Sequence, residues 1–302
     1  MLVKPTELKS KSNYKCLIYG QPGVGKTTLA LSSSNPVLFD FEEGIYRVEK
    51  QFQVPSLQVK NFNEVMDTLN SEEIDCFETI VFDTLGRLID CIVEQVKQDV
   101  VRSTLRQNDW GTVKMKFNNM IRTIYAKNKS VIFVAHETES KEEDNKTKKR
   151  PSTGSGSSGL SLINDMDIVG YCFIKDNKRV IAFTPSESFY AKNSLQLDDY
   201  LIIDNPNIKG NTFFQEKIVK MSKDKVKKDN ELSIKYSNLM DIIRNNIESL
   251  NTIEEINNFL NDMKNYETIW DSKYRAWDEL QKKATTLNFS YDKEKKLFIK
   301  ND

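Results

Sequence analysis

The chain has 302 residues, 38% of them apolar and 10% aromatic, enough for one large domain or for a core with an accessory domain. Its 44 basic and 44 acidic residues cancel, which excludes a nucleic-acid surface built on net charge and leaves only local patches. No apolar run approaches the ~20 residues of a membrane span, and the polar start MLVKPTELKSKSNYK is not a signal peptide, so a soluble, cytoplasmic protein without a membrane partner is expected.

Residues 1–13 read as an N-terminal extension. KCLIYG follows, a short apolar run that predicts a buried strand ending in Gly20. After a glycine-containing loop, KTTLALSSS reads as a helix stopped by Asn35-Pro36. PVLFDF, FETIVFD and SVIFVAH are the next strand candidates, with helical patterns over residues 85–101 and 108–128 between them. Apolar strands alternating with helices predict an α/β fold, a mostly parallel sheet flanked by helices. Residues 139–161 are nearly devoid of apolar side chains and read as a long flexible loop. DIVGYCFI, the turn KDNK and RVIAFTPS predict an antiparallel hairpin. A charged hinge over residues 220–232 then precedes helical patterns, with Thr252 and Glu255 spaced as a capping box. The boundary is placed near residue 225, giving a core of residues 14–224 and a small helical C-terminal domain of residues 225–302. Cys16, Cys76, Cys91 and Cys172 are too far apart in sequence for a metal knuckle and read as reduced thiols.

The loop between the first strand and helix, Gly20 to Thr27, fits G-x-x-x-x-G-K-[ST] at every fixed position. Gly20, Gly23 and Gly25 permit φ > 0 and turn backbone N–H groups inward. The segment Gly20, Gln21, Pro22, Gly23, Val24, Gly25, Lys26, Thr27 and Thr28 is therefore the expected cradle for ATP. Lys26 supplies a charge to the β- and γ-phosphates and Thr27 a hydroxyl to Mg²⁺. Asp83, at the end of a buried strand, is expected to hold Mg²⁺ with Thr27. Glu42, among Asp40, Glu42 and Glu43, is the candidate base for hydrolytic water. His136, the single histidine, ends the fourth strand and is placed to sense the γ-phosphate. Lys146, Lys148, Lys149 and Arg150 form a basic run followed by glycine and serine, suited to a nucleic-acid backbone, with salt-dependent affinity.

GQPGVGKTT, LFDFEEG, TIVFDTLGRL, VIFVAHETES and FYAKN together resemble the RecA-like P-loop ATPases of bacteriophages, and among these the single-strand annealing proteins, over about residues 14–220. The resemblance implies a RecA-like P-loop NTPase core acting in DNA recombination. It carries the water-activating glutamate onto Glu42, the magnesium-binding aspartate onto Asp83, the switch residue onto His136 and the DNA loop onto residues 139–161. It also carries onto Lys192 a lysine that reaches a neighbouring subunit's ATP. The expected partners are single-stranded DNA and further copies of the chain in a ring or filament, within the bacterial host cytoplasm if the chain is phage-encoded. The alternative is a nucleotide-switched replication or helicase-loader ATPase whose C-terminal domain recruits a single-strand-binding or replication protein.

Overall fold

The computed structural model describes residues 13–141, 147–153, 163–205 and 210–301. The chain divides into two compact units on either side of Lys223 and Asp224.

In the first unit, strands β1 (Lys15–Gly20), β2 (Pro36–Asp40), β3 (Ser56–Gln58), β4 (Thr79–Asp83) and β5 (Ser130–Lys141) build the parallel half of a large mixed sheet. Further along the chain are β6 (Thr147–Pro151), β7 (Ile168–Lys175), β8 (Lys178–Ala182), β9 (Lys192–Asn193) and β10 (Tyr200–Ile202). The order across the sheet is β10-β8-β7-β1-β5-β4-β2-β3, with β6 on β5 and β9 on β7. β7 through β3 run parallel, and the pairings of β6, β8, β9 and β10 are antiparallel.

The central strands are apolar at successive positions because both sheet faces are covered. Leu17, Phe39, Phe82 and Phe133 turn to one face, where helices α2 (Phe62–Asn70), α3 (Leu85–Asp99) and α4 (Asp109–Ala126) pack. Cys16, Ile18, Leu38, Val81 and Ile132 turn to the other, against the short helix α1 (Lys26–Ala30) and Phe214 and Ile218. Sheet register lines up Phe39, Phe82 and Phe133 on neighbouring strands. Their ring centroids lie 5.0 and 5.3 Å apart, and Phe117 of α4 closes the row at 5.5 Å.

The predicted hairpin is β7–β8. Its turn residues Asp176 and Asn177 have φ of 50° and 58°, the left-handed pair that a two-residue turn between twisted strands requires. Three expectations are corrected. The described part of the 139–161 loop is not loose chain: β5 runs twelve residues, past His136, and pairs with β6 as an antiparallel arm, because backbone pairing compensates for the missing apolar side chains. The helix after the glycine loop is only five residues long. The charged run over residues 220–232 is helical, lying within helix α5 (Lys220–Ser249); lysine-rich sequence is compatible with a solvated helix.

In the second unit, α5, α6 (Ile253–Asp262) and α7 (Ser272–Thr286) surround Ile243, Ile256, Phe259, Leu280 and Phe298. Thr252 and Glu255 form the expected capping box. A hairpin of β11 (Phe289–Asp292) and β12 (Leu297–Lys300) adds a two-stranded sheet to the expected helices. Among the described residues no helix is long and apolar enough to cross a membrane.

Gly20 leaves no room for a side chain. Its φ is 153°, and a Cβ built there would stand 2.1 Å from the carbonyl oxygen of Cys172 on β7. Gly20→Ala must push β7 from β1 or distort the loop, and is expected to cost at least about 1–3 kcal/mol in urea unfolding.

Candidate functional site

Four strands bring the site together. β5 lies between β1 and β4 and pairs with both, so that Gly20 is level with His136 and Asp83 is level with Val134. On the far side of β4, Asp40 is level with Asp83. Strand ends on one side of a parallel sheet thus deliver the phosphate-loop glycine, the histidine and two aspartates to one edge, where α/β folds bind ligands.

The glycine loop divides its tasks. Pro22, Gly23, Gly25, Lys26, Thr27 and Thr28 line a pocket of about 310 Å³, with Glu42, Arg47, Asp83, Thr84, His136 and Arg179 among the other walls. Gly20 and Gln21 do not line it; their carbonyl oxygens accept hydrogen bonds from Lys26 Nζ at 2.9 and 2.7 Å. Val24 is buried in the core and anchors the loop. Gly23 and Gly25 take φ of 81° and 89°, left-handed values that glycine adopts without strain.

Lys26 is only 7% exposed. Burial lowers its ammonium pKa, and the nearby Asp83 and Glu42 carboxylates partly counter that. Thr27 Oγ1 donates to Asp83 Oδ2 at 2.6 Å. Burial raises the Asp83 carboxyl pKa, the Thr27 hydrogen bond opposes this, and the charges of Asp40 and Glu42 add to it.

The three acidic residues after β2 are not equivalent. Asp40, 1% exposed, accepts from the backbone N–H groups of Glu42, Gly44 and Ile45 and from Gln58 Nε2. It is committed to shaping the turn. Glu43 is exposed, with φ of 54°, and is not among the pocket's lining residues. Glu42 does line the pocket. Its Oε1 accepts from Thr84 Oγ1 and Arg87 Nε, each at 3.3 Å, and its Oε2 stands 3.6 Å from His136 Nε2. Arg47 Nη2 donates to the Glu42 carbonyl at 3.2 Å.

The other expected residues lie elsewhere. Lys192 is on β9, beside Val169 near the start of β7; its Nζ donates to the Asn164 carbonyl at 2.7 Å, and it does not line the pocket of its own chain. Lys148, Lys149 and Arg150 are on β6, half-buried, and Lys146 lies outside the described residues. Lys149 Nζ is paired with Glu137 Oε1 at 3.1 Å, so its charge is matched within the arm and is not that of a solvated loop lysine. Arg47, Arg87 and Arg179 were missed in the sequence, because nothing in their spacing relates them to the glycine loop; only the β2 turn, the helix after Asp83 and the β7–β8 hairpin bring them near.

The donor set suits a magnesium–nucleotide complex: one hydroxyl and one carboxylate in contact, loop amides, and a desolvated lysine. Among the described residues no cluster of three or more His, Cys, Asp or Glu side chains could hold a metal by itself. Mg²⁺ keeps several waters and takes few protein ligands beside substrate phosphates, so the Thr27 hydroxyl and the Asp83 carboxylate are a fitting pair of protein ligands for it.

No curated protein matches the chain. A family model described as an AAA domain matches residues 12–195, more than half of the 302 residues, and covers β1 through β9 with every pocket residue named above. The chain therefore belongs to the AAA-domain family, whose nucleotide-hydrolysing P-loop architecture accounts for the loop, the carboxylates and the sheet that holds them.

Proposed function

We propose that the chain is a magnesium-dependent ATPase of RecA type that binds single-stranded DNA in recombination. The observation that carries the nucleotide half is the 2.6 Å contact between Thr27 Oγ1 and Asp83 Oδ2, beside a buried lysine and within a pocket that also holds Glu42. Thr27 and Asp83 would hold Mg²⁺, which supplies charge neutralisation on the phosphate oxygens. Lys26, already desolvated, gains more from a phosphate oxygen than a solvated lysine would. Glu42 is the general base: its Oε1 is held by Thr84 and Arg87, which orients Oε2 to accept a proton from water as that water's oxygen bonds to the γ-phosphorus and the bond to the ADP oxygen breaks. His136 reports on the γ-phosphate to the arm.

The DNA half is supported by strand continuity. β5 passes from His136 directly into the arm that carries Lys148, Lys149 and Arg150, so an anionic backbone on the arm and a phosphate in the pocket bear on one strand. Lys192 would serve a neighbouring copy's nucleotide, as its separation from its own pocket allows. A second reading, a loader acting through protein partners, is favoured by the C-terminal unit, where Trp270 and Tyr274 are 57% and 73% exposed; aromatic side chains of that kind are common at protein interfaces.

Three outcomes follow. Glu42→Gln is expected to retain ATP binding in calorimetry and to lower kcat by about 10²–10⁴. Asp83→Asn removes a buried carboxylate disfavoured by its surroundings, so the nucleotide-free variant is expected to melt a few degrees higher than the parent, while the stabilisation conferred by Mg²⁺ with ATP is lost in the same thermal scan. ATP turnover is expected to rise with single-stranded DNA at low salt, with DNA affinity falling steeply as salt rises, and joint replacement of Lys148, Lys149 and Arg150 by Ala is expected to remove the stimulation. Turnover indifferent to DNA, with a partner captured by the C-terminal unit, supports the loader instead.

A further inference from the structure

The pocket contains a cation with no part in the hydrolytic machinery described above. Arg179 stands on β8, opposite Ile174 of β7 and two residues past the Asp176–Asn177 turn. Its guanidinium lies against Gly25: a Cβ built on that glycine would be 3.6 Å from Arg179 Nη1 and 3.7 Å from Cζ. The arginine thus lies in van der Waals range of the loop at Gly25.

The other pocket cations also make contacts within the chain. Lys26 is bound to the Gly20 and Gln21 carbonyls, and Arg47 to that of Glu42. Arg179 has Asn205 Oδ1 at 3.4 Å, and among the described residues no carboxylate pairs with it. A guanidinium left without an anion beside a phosphate loop is suited to bidentate contact with phosphate oxygens.

Sheet order decides which phosphates it faces. β1 is flanked by β7 on one side and β5 on the other. Glu42, Arg47 and His136 come from the β5 side and mark the end of the polyphosphate where water is activated. Arg179 reaches the loop from the β7 side, beside Gly25, on the flank away from Glu42 and His136.

We infer that Arg179 clamps the α- and β-phosphates of the nucleotide from within the same chain. This rests on the nucleotide reading of the pocket proposed above. The contact is the same before and after hydrolysis, so it contributes uniform binding rather than transition-state stabilisation.

The test is calorimetric titration of the full-length protein with Mg²⁺ and either ADP or inorganic pyrophosphate, for the parent, Arg179→Ala, Arg179→Lys and Lys26→Ala. Arg179→Ala is expected to weaken both ligands about tenfold or more, to raise KM for ATP, and to leave kcat at saturating ATP nearly unchanged. Arg179→Lys is expected to recover only part of the affinity, since the fork is lost. An unchanged melting temperature for nucleotide-free Arg179→Ala separates the effect from misfolding. The inference is overturned if Arg179→Ala binds ADP like the parent while Lys26→Ala does not. It is also overturned if ADP affinity falls and pyrophosphate affinity does not, because Arg179 then reads the nucleoside. Failure of the parent itself to bind either ligand removes the ATPase reading together with this one.

Discussion

The position of β5 between β1 and β4 is the constraint on which the site depends. One intervening strand sets the phosphate loop and Asp83 at the separation that lets Thr27 reach the carboxylate at 2.6 Å, and it inserts His136 level with Gly20. Were β1 and β4 direct neighbours, no strand end would lie between the loop and the aspartate. The parallel ladder and the row of phenylalanines beneath it hold this spacing, so the polar edge is positioned by an apolar core on which it otherwise has little claim.

That edge gathers three carboxylates, and each meets the cost of burial differently. Asp40 is satisfied by three backbone amides and Gln58, as a buried carboxylate in a structural turn should be. Glu42 is partly solvated and shares Oε1 between Thr84 and Arg87. Asp83 has the Thr27 hydroxyl for its Oδ2, while burial, Asp40 and Glu42 all disfavour its charge. It is thus the carboxylate whose surroundings call most for a cation. The ranking is physical: a neutral donor does less for an ion than a charge-assisted network does.

Much of this was legible in the sequence because its signals are local. An apolar run closed by glycine, a fixed-spacing loop and an aspartate at a strand end need only neighbouring residues to define them, and the Thr252–Glu255 box is a four-residue pattern. Illegible parts depended on long-range pairing. The arm looked like loose chain because pairing between β5 and β6 is made by backbone groups, to which hydropathy is blind. β3 has three residues, too few for a period to emerge, and the β11–β12 hairpin was masked by the helical pattern before it. Arg47, Arg87 and Arg179 converge from three separate elements, and no spacing rule spans such distances. Glycine was legible as a flexible residue but not in its second use: Gly20 is small because the Cys172 carbonyl leaves no room for a Cβ.

The arm's attachment bears on how a pocket event could be felt outside it. Glu137, the residue after His136, accepts from Lys149 Nζ at 3.1 Å and from Tyr171 Oη at 3.0 Å. Tyr19, next to Gly20, donates to the carbonyls of Lys149 and Tyr190. Both strands of the β1–β5 pair are therefore tied to β6 through side chains, one next to the pocket residue His136 and the other next to Gly20 of the phosphate loop. Coupling requires an element with two arrangements that both sites bias, and the Glu137–Lys149 pair meets the electrostatic part of that requirement. On the proposed reading, an anionic ligand on the arm would compete with Glu137 for Lys149, and a shift of Glu137 would bear on His136 beside it, 3.6 Å from Glu42. The acidic partner of Lys149, which argues against a free DNA-binding lysine, is by the same geometry what would let DNA on the arm reach Glu42, the proposed general base.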